Sequence, residues 1–457
     1  MDFMKPILIT YQKRVTESYI KECNRKFKYS KIYIFTESLK QDISLLSKYK
    51  KFILEVISKK DLPKKIDEVF EKEKSSIILP YFAGDSNSKY SIKVYNKMFG
   101  SNVDPKVFKM KNKMNDFLSN EIGNKKNIKI SYDDLKKKKY EDLSKEIGAS
   151  FILKPINAAS SLLNFKISAE ENFEKAKDRM KKKYQYILEE YLEGNLYAID
   201  FYCDGKDIYL LCFSREIPFS ELLEKLSHKY LEKYESVLND EFLHFLPIRY
   251  TLGLEKISSC ELSFIKKLGD KLVKSCYRGF IHLEYKIKRK DNKIGFIEWG
   301  ARLGGKRSHF IEEMHNLKVE NLPYQLIYKK DTSQFKKSKN IYFLKNRNID
   351  ENFIGIKTNV LKKTHVMEIF KKTPSFLNIS FETFLKGFLW DYWKIKVQKI
   401  KFYVKSSPNY FIYPFHERHD THFDYILYLD EESFKKFINN KFKILEKLIF
   451  HDYKKVS

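Results

Sequence analysis

Glycine is scarce in this chain, 15 residues in 457. Backbone that must approach phosphates closely or turn with positive φ draws on glycine first, so a phosphate-binding loop has few positions open to it here. Cysteine is scarcer still: Cys23, Cys203, Cys212, Cys260 and Cys276 are all there are, and they form no C-x-x-C pair. They read as reduced, partly buried thiols rather than a metal or redox motif. No run approaches the roughly 20 apolar residues of a membrane helix. The opening residues Met1 to Pro6 have neither a long apolar core nor a small-residue cleavage site, so no secretory leader is expected and the cytoplasm is the expected location. Acid is also in deficit, 60 Asp and Glu against 88 Lys and Arg, for a net charge of +28. The excess is spread along the chain, densest at Lys136–Lys139 and Lys181–Lys183. It comes without a zinc finger, ribonucleoprotein motif or helix-turn-helix pattern. It reads as a Lys-rich surface or as attraction for an anionic ligand, and a nucleic-acid-binding protein remains an alternative motivated by charge alone.

What is present is enough apolar material, 43% of residues, for several cores in a chain long enough for about three lobes. Short apolar strands at Lys5–Thr10, Lys31–Phe35 and Ser75–Pro80 are separated by stretches of helical spacing at Glu17–Phe27 and Ser86–Gly100, a pattern that predicts a parallel α/β unit. The turn Asn102-Val103-Asp104-Pro105 marks its end. One helix is predicted over Lys106–Ile122 and another over Ala169–Lys183. Strands are predicted at Ser150–Lys154, Tyr186–Tyr191, Leu196–Cys203 and Ile208–Phe213, the last two joined by an Asp204-Gly205 turn. Glu216–Phe245 reads as a helical insert. A helix over Glu261–Tyr277 precedes a second hairpin, Phe280–Ile287 and Lys293–Glu298. After Lys330 short strands at Asn340–Phe343, Lys399–Val404 and Asp424–Leu429 surround an aromatic-rich middle, and a helix over Glu431–Phe450 closes the chain. The aromatic cluster Phe388 to Trp393 reads as core or interface, and His416 to His422 as a polar turn.

The second hairpin carries the chemistry. Period-two alternation can place Glu284 and Glu298 on one face, opposite one another, where like charges cost energy unless a cation lies between them. Paired carboxylates completed by phosphate oxygens suit Mg²⁺. Arg302, four residues on, can hold a phosphoryl group in fork geometry, and Gly304-Gly305 lets backbone amides approach an anion. Two solvent-facing glutamates and a surface arginine are the plain alternative. Lys154 ends an apolar strand just before Pro155, and an ammonium pointed into such an interior needs an anionic partner. Lys113 lies on the preceding helix. A structural salt bridge is the alternative for each lysine. His282 is either a base or a satisfied histidine in a sheet. Lys306, Arg307 and His309 follow the glycine pair and either bind a carboxylate substrate or open a surface helix.

Taken in order, Lys113; Phe151-Ile-Leu-Lys154-Pro155 with a small-residue loop; Glu189-Glu190-Tyr-Leu-Glu-Gly194; His282-Leu-Glu284; and Phe296-Ile-Glu298-x-x-x-Arg302-x-Gly-Gly305 resemble the ATP-grasp superfamily of carboxylate–amine ligases, closest to its amino-acid ligase, carnosine-synthase-like branch. The resemblance covers roughly Ile7 to Lys330 and implies an α/β chain of α+β lobes. These are a Rossmann-like pre-ATP-grasp domain over 1–104, a lid over 105–187, a catalytic subdomain over 188–330 and a C-terminal lobe over 331–457. It implies that Lys113 and Lys154 contact ATP phosphates, with Ser161 in the covering loop. Glu189, Glu190, Tyr191 and Leu192 would line the adenine, and Glu284 and Glu298 would hold Mg²⁺ or Mn²⁺. Arg302 would stabilise the transferring phosphoryl group. Arg249 is a substrate contact by analogy with relatives, beside Gly304, Gly305, Lys306, Arg307 and His309. The implied reaction is ADP-forming amide-bond synthesis through an acyl phosphate. The implied partners are a small carboxylic acid and an amine, with no membrane, and a homodimer is compatible with the resemblance.

Three positions depart from the family pattern. The phosphate loop reads Asn157-Ala158-Ala159-Ser160-Ser161-Leu162-Leu163 where relatives are glycine-rich. Leu196 replaces a ribose-binding glutamate, and Gly300 replaces an asparagine that follows the last metal glutamate. These changes keep open a non-catalytic form that binds a nucleotide or a partner without turnover.

Overall fold

The computed structural model describes residues 7–10, 32–36, 53–56, 61–72, 77–78, 92, 96, 99–122, 126–157, 163–218, 221, 248–288, 293–304, 307–319, 322–323, 325–326, 330–338, 341–345, 352–357, 381–402 and 424–450. The first strands, β1 (Ile7–Thr10), β2 (Ile32–Thr36), β3 (Ile53–Val56) and β4 (Ile77–Ile78), form a parallel sheet in the order β3-β2-β1-β4. Helix α1 (Leu62–Lys72) supplies the β3–β4 crossover that parallel pairing requires. The helix expected over 17–27, and most of that over 86–100, lie outside the described residues.

The single helix expected over Lys106–Ile122 is instead three pieces: a 3₁₀ turn at Pro105–Phe108, α2 (Lys111–Phe117) and α3 (Ser119–Ile122). The break has a local cause. The Val107 carbonyl, which an unbroken helix would give to the Lys111 amide, accepts the Trp299 indole N–H at 3.0 Å, and the Lys111 amide donates to the Ile156 carbonyl at 3.1 Å. A small antiparallel sheet follows, built from β5 (Asn127–Ile130), β6 (Phe151–Pro155), β7 (Phe165–Ile167) and β8 (Tyr186–Glu190) in the order β5-β8-β6-β7. Helices α4 (Tyr132–Lys137), α5 (Tyr140–Ile147) and α6 (Glu170–Arg179) cover it, and Leu135, Leu143, Phe151, Phe173 and Leu188 share its core.

The large sheet begins with β9 (Asn195–Asp204) and β10 (Ile208–Ile217), joined by the expected turn; Gly205 has φ +89°, and the Asp204 carboxylate accepts the Lys206 and Asp207 amides at 2.8 Å. It continues with β11 (Ile248–Leu252), helix α7 (Ser259–Lys274), β12 (Arg278–Ile287), β13 (Ile294–Gly300) and helix α8 (Arg307–His315). The chain then adds β14 (Phe335–Ser338), β15 (Ile341–Leu344), β16 (Asn352–Lys357), α9 (Phe381–Trp393), β17 (Val397–Phe402), β18 (Asp424–Leu429) and α10 (Glu431–Phe450). The order is β13-β12-β9-β10-β11-β16-β18-β17, with β15 on β10 and β14 on β15, so the strands after residue 331 extend this sheet rather than forming one of their own. Helix α7 starts at a capping box of Ser258 and Glu261 and buries Ile265, Leu268 and Leu272 in the core that holds Phe201, Leu283 and Tyr285. Glu216, read as the start of a helical insert, is a residue of β10; residues 222–247 and the His416 to His422 run lie outside the described residues. In α9 Leu389 is buried, but Trp390 and Tyr392 are about half exposed, so these two are not core.

Two bulges decide which side chains share a face. In β10 the register shifts between Leu210, opposite Phe201, and Cys212, opposite Asp200. At the β12–β13 pair it shifts between Glu284, opposite Glu298, and Tyr285, opposite Phe296. A one-residue insertion flips all that follows to the other face. Phe296 is thereby core while Glu298, two residues on, is not, and Cys212, Ser214 and Glu216 join Asp200 rather than Phe201. Burial pushes the thiols of Cys203 and Cys212 up to about 12, so both are inert in the folded protein, whereas Cys260 and Cys276 are exposed. Of these four, a thiol reagent followed by peptide mapping is expected to label Cys260 and Cys276 in native protein and to reach Cys203 and Cys212 only after unfolding.

Candidate active site

One face of the large sheet carries ionisable side chains. Successive cross-strand rows read Gly300, His282, Asp200, Cys212; then Glu298, Glu284, Ala198, Ser214, Thr251; then Leu196, Glu216, Arg249. Glu284 and Glu298 are direct cross-strand partners, as expected, and it is the bulge beside Glu284 that brings them opposite one another. Glu298 is partly exposed, with 38% of its side chain accessible, and Glu284 is largely buried. Burial would raise the Glu284 carboxyl, but the imidazole of His282 and the guanidinium groups of Arg302 and Arg249 together hold it below the usual carboxylate range. Arg302 lies just past β13 and donates to the Leu303 carbonyl at 3.1 Å.

His282 is the satisfied histidine of the two readings. Nδ1 lies 3.1 Å from Asp200 Oδ1 and Nε2 lies 3.1 Å from Glu284 Oε1. Its burial opposes protonation, yet the two carboxylates outweigh that and raise the imidazole to about 9.

Lys154 closes the site from the small sheet. Its ammonium pairs with Glu189 at 2.6 Å, both side chains at least 95% buried, and the Asn115 amide donates to the other Glu189 oxygen at 3.0 Å. Burial lowers the Lys154 ammonium, but Glu189, Glu298 and Glu284 together raise it above its ordinary value, so this cation sits within the field of both hairpin carboxylates.

Helix α2 presents Lys111 rather than Lys113. Lys111 and Asn115, one turn apart, are buried together with Met114, and Lys111 Nζ lies 3.9 Å from Glu298. Lys113 is exposed. Residues two apart on a helix point to opposite sides, and the Trp299 amide, donating to Met114 Sδ at 3.4 Å, sets which side faces β13. Lys113→Ala is expected to leave nucleotide affinity within about twofold of wild type and Lys111→Ala to weaken it by about tenfold, one charge-assisted contact; calorimetric titration with ADP separates them.

The segment after β8 is held firmly. The Glu190 amide donates to Lys126 and the Tyr191 amide to Ser150, both at 3.1 Å, and the Leu192 carbonyl accepts Lys286 Nζ at 2.7 Å. Lys166 and Lys286 lie 4.3 and 4.4 Å from the Tyr191 ring centre. Here a glycine is required: Gly194 has φ +114°, and a Cβ there would sit 2.1 Å from the Ile287 carbonyl oxygen.

The substrate candidates divide. Arg307 opens α8, but it does not lie on the surface. It is 1% exposed and pairs with Asp200 at 3.2 Å and with Glu216. A guanidinium this deep needs carboxylate partners, and the sheet face supplies both. Arg249 is buried, 3.4 Å from the second Glu216 oxygen. The Gly304 amide donates to Asp200 at 2.7 Å. His309 lies in α8, its side chain outside the described residues, as are Ser161, Gly305 and Lys306. Asp200 and Glu216 were not anticipated. An aspartate inside the apolar run Leu196–Cys203 was the available signal, because a buried charge demands a partner.

A model of the ATP-grasp domain matches residues 120–230. Solved structures match almost the whole chain. One is an L-amino acid ligase from Bacillus licheniformis, 12% identical over 96% of this chain and 97% of that one, with a TM-score of 0.55. Another is an N5-carboxyaminoimidazole synthetase from Staphylococcus aureus complexed with ADP, 11% identical over 98% of each chain, TM-score 0.56. A third is the biotin carboxylase domain of a Hydrogenobacter thermophilus 2-oxoglutarate carboxylase in complex with MgADP, 11% identical over 94% of this chain and 87% of that one, TM-score 0.57. The chain has the ATP-grasp fold. No curated protein matches its sequence. Of the departures from the ATP-grasp pattern, Leu163 is the clearest in structure. It is buried and takes the left-handed conformation, φ +54°, that a glycine would adopt freely. The backbone turn is kept, and the side chain is spent on the core of the small sheet. Leu196 is buried as well, and its apolar side chain has no oxygen to accept a hydrogen bond. Among the described residues no helix is long and apolar enough to cross a membrane.

Proposed function

We propose that this chain is an ATP- and Mg²⁺-dependent, ADP-forming carboxylate–amine ligase. The observation that carries the reading is the convergence of Lys154 and Lys111 from one side on Glu284 and Glu298 from the other. Among the described residues no group of three or more His, Cys, Asp or Glu side chains is placed to hold a metal ion. Two opposed carboxylates nevertheless fit Mg²⁺, which is bound by one or two carboxylates with substrate phosphates and water making up the octahedron. Glu284 and Glu298 would hold it, and it would supply charge neutralisation at the phosphates. The neighbours' bound ADP and MgADP support the choice of nucleotide and metal.

The residues then have distinct tasks. Lys154 and Lys111 bind phosphate oxygens, and Glu189 and Asn115 hold Lys154 extended. Glu190 to Leu192, with the small sheet as a lid, flank the base. Arg302 neutralises charge as a substrate carboxylate oxygen bonds to the γ-phosphorus and ADP departs. The amine nitrogen then attacks the activated acyl carbon, and inorganic phosphate leaves with the carboxylate oxygen. Arg249, Gly304, Gly305, Lys306 and His309 are the candidates for contacting the acid in this reading. In this reading the first lobe ends at Asp104 and the lid ends with β8 at Glu190, and the strands after Lys330 belong to the catalytic sheet. A pairwise screen of acids and amines that reads phosphate release and product mass tests the proposal. A paired, product-forming burst of ADP is expected, and tight ATP binding without turnover across the screen would favour the non-catalytic form.

A further inference from the structure

Among the described residues, a buried ionic cluster lies beneath the two hairpin carboxylates with no role yet assigned to it. Its centre is Asp200, fully buried in the middle of β9. One carboxylate oxygen takes two partners, the His282 imidazole at 3.1 Å and the Gly304 amide at 2.7 Å, and the other lies 3.2 Å from Arg307 Nε. Through His282 it reaches Glu284, and through the Gly304 amide it holds the segment that carries Arg302. Burial would raise the Asp200 carboxyl, and His282, Arg307 and the Gly304 amide lower it instead, so the hub is charged.

Packing enforces the same arrangement without charge. A Cβ on Gly304 would lie 2.4 Å from His282 Cε1 and 2.5 Å from Nδ1, so any side chain there displaces the imidazole. Glycine, scarce in this chain, is retained at the point where the loop touches the ring.

We propose that Asp200 is a positioning residue that fixes Glu284 and the Arg302 loop relative to one another, through His282 on one side and the Gly304 amide on the other, so that metal and phosphoryl group are held in register. The inference rests on the nucleotide-site reading above. Asp200 touches neither ligand, so it acts only through the groups it holds.

The test uses the full chain, Mn²⁺ as the metal probe and ADP as the nucleotide, with Mn²⁺ binding followed by electron paramagnetic resonance and thermal unfolding measured alongside. Asp200→Asn and Gly304→Ala are each expected to weaken Mn²⁺ binding in the ADP complex by about 10–100-fold, the range for partners of metal ligands. Metal-free ADP affinity, which depends on Lys154 and the segment after β8, should stay within about twofold. Gly304→Ala changes no charge and keeps the measurement decisive if Asp200→Asn does not fold. Wild-type Mn²⁺ affinity in the folded variants overturns the inference. An equal loss of metal-free ADP affinity also overturns it, since that marks general damage to the site. A wild-type protein that binds ADP but no Mn²⁺ overturns the metal-site reading itself, and this inference with it.

Discussion

Glu298→Gln is expected to reduce ADP release by about 10²–10³-fold, the cost of removing one preorganised charge from such a site, while leaving the unfolding midpoint close to wild type. The reason lies in exposure. Glu298 is 38% accessible, and its ion pair to Lys111 is long, 3.9 Å. Pairs of that kind contribute little to stability. Glu284→Gln should behave differently although its charge is the same. Glu284 is largely buried and bonded to His282, so its neutral replacement leaves a buried cation with one carboxylate instead of two. Activity and midpoint should fall together. Rate and thermal unfolding measured on both variants give the contrast. An active Glu298→Gln protein would remove the carboxylate from the site assignment.

The second large effect belongs to Lys154. Lys154→Met leaves Glu189 buried without its counter-ion, and breaking such a pair costs about 3–5 kcal/mol. The partner is 2.6 Å away and both are nearly inaccessible, so water cannot substitute. The double variant Lys154→Met, Glu189→Gln removes both charges and should recover most of that stability, because the amide can keep its contact with Asn115. Recovery of stability should not bring recovery of binding. The double variant loses the ammonium that faces Glu284 and Glu298, and its affinity for ADP should fall by about ten- to a hundredfold, the worth of a charge-assisted contact. Urea unfolding and calorimetry on the two variants separate the roles. A double variant with wild-type ADP affinity would make Lys154 a structural ion alone.

Much of this site could be read from the chain, and the parts that could not have identifiable causes. The hairpin and its two carboxylates were legible, but their direct pairing comes from the bulge between Glu284 and Tyr285, since unbroken alternation from the turn would put Ile297 opposite Glu284. Lys154 before Pro155 announced a buried charge, and Glu189 answers it. The helix over Lys106–Ile122 is broken because two tertiary bonds, Trp299 to the Val107 carbonyl and the Lys111 amide to the Ile156 carbonyl, outweigh an otherwise helical period. The period of that helix did not show that Lys111, and not Lys113, is the lysine buried beside Glu298. Glu216 was lost in an apparently helical insert because the bulge after Leu210 resets the phase of β10, and no periodicity survives an inserted residue. Asp200 was visible only as an oddity in an apolar strand. Its partners, His282, Gly304 and Arg307, come from two distant stretches of chain, and no local pattern joins them to it.

The central claim is that a carboxylate is activated by phosphorylation at this hairpin. Oxygen-18 transfer tests it most directly. A substrate acid identified in the screen, labelled in its carboxylate, is turned over with ATP, Mg²⁺ and the amine, and the released phosphate is analysed by mass spectrometry. The account predicts ADP together with phosphate carrying one labelled oxygen per turnover, and loss of both in Glu298→Gln. Unlabelled phosphate formed with the amide product, or AMP and pyrophosphate in place of ADP, would contradict it.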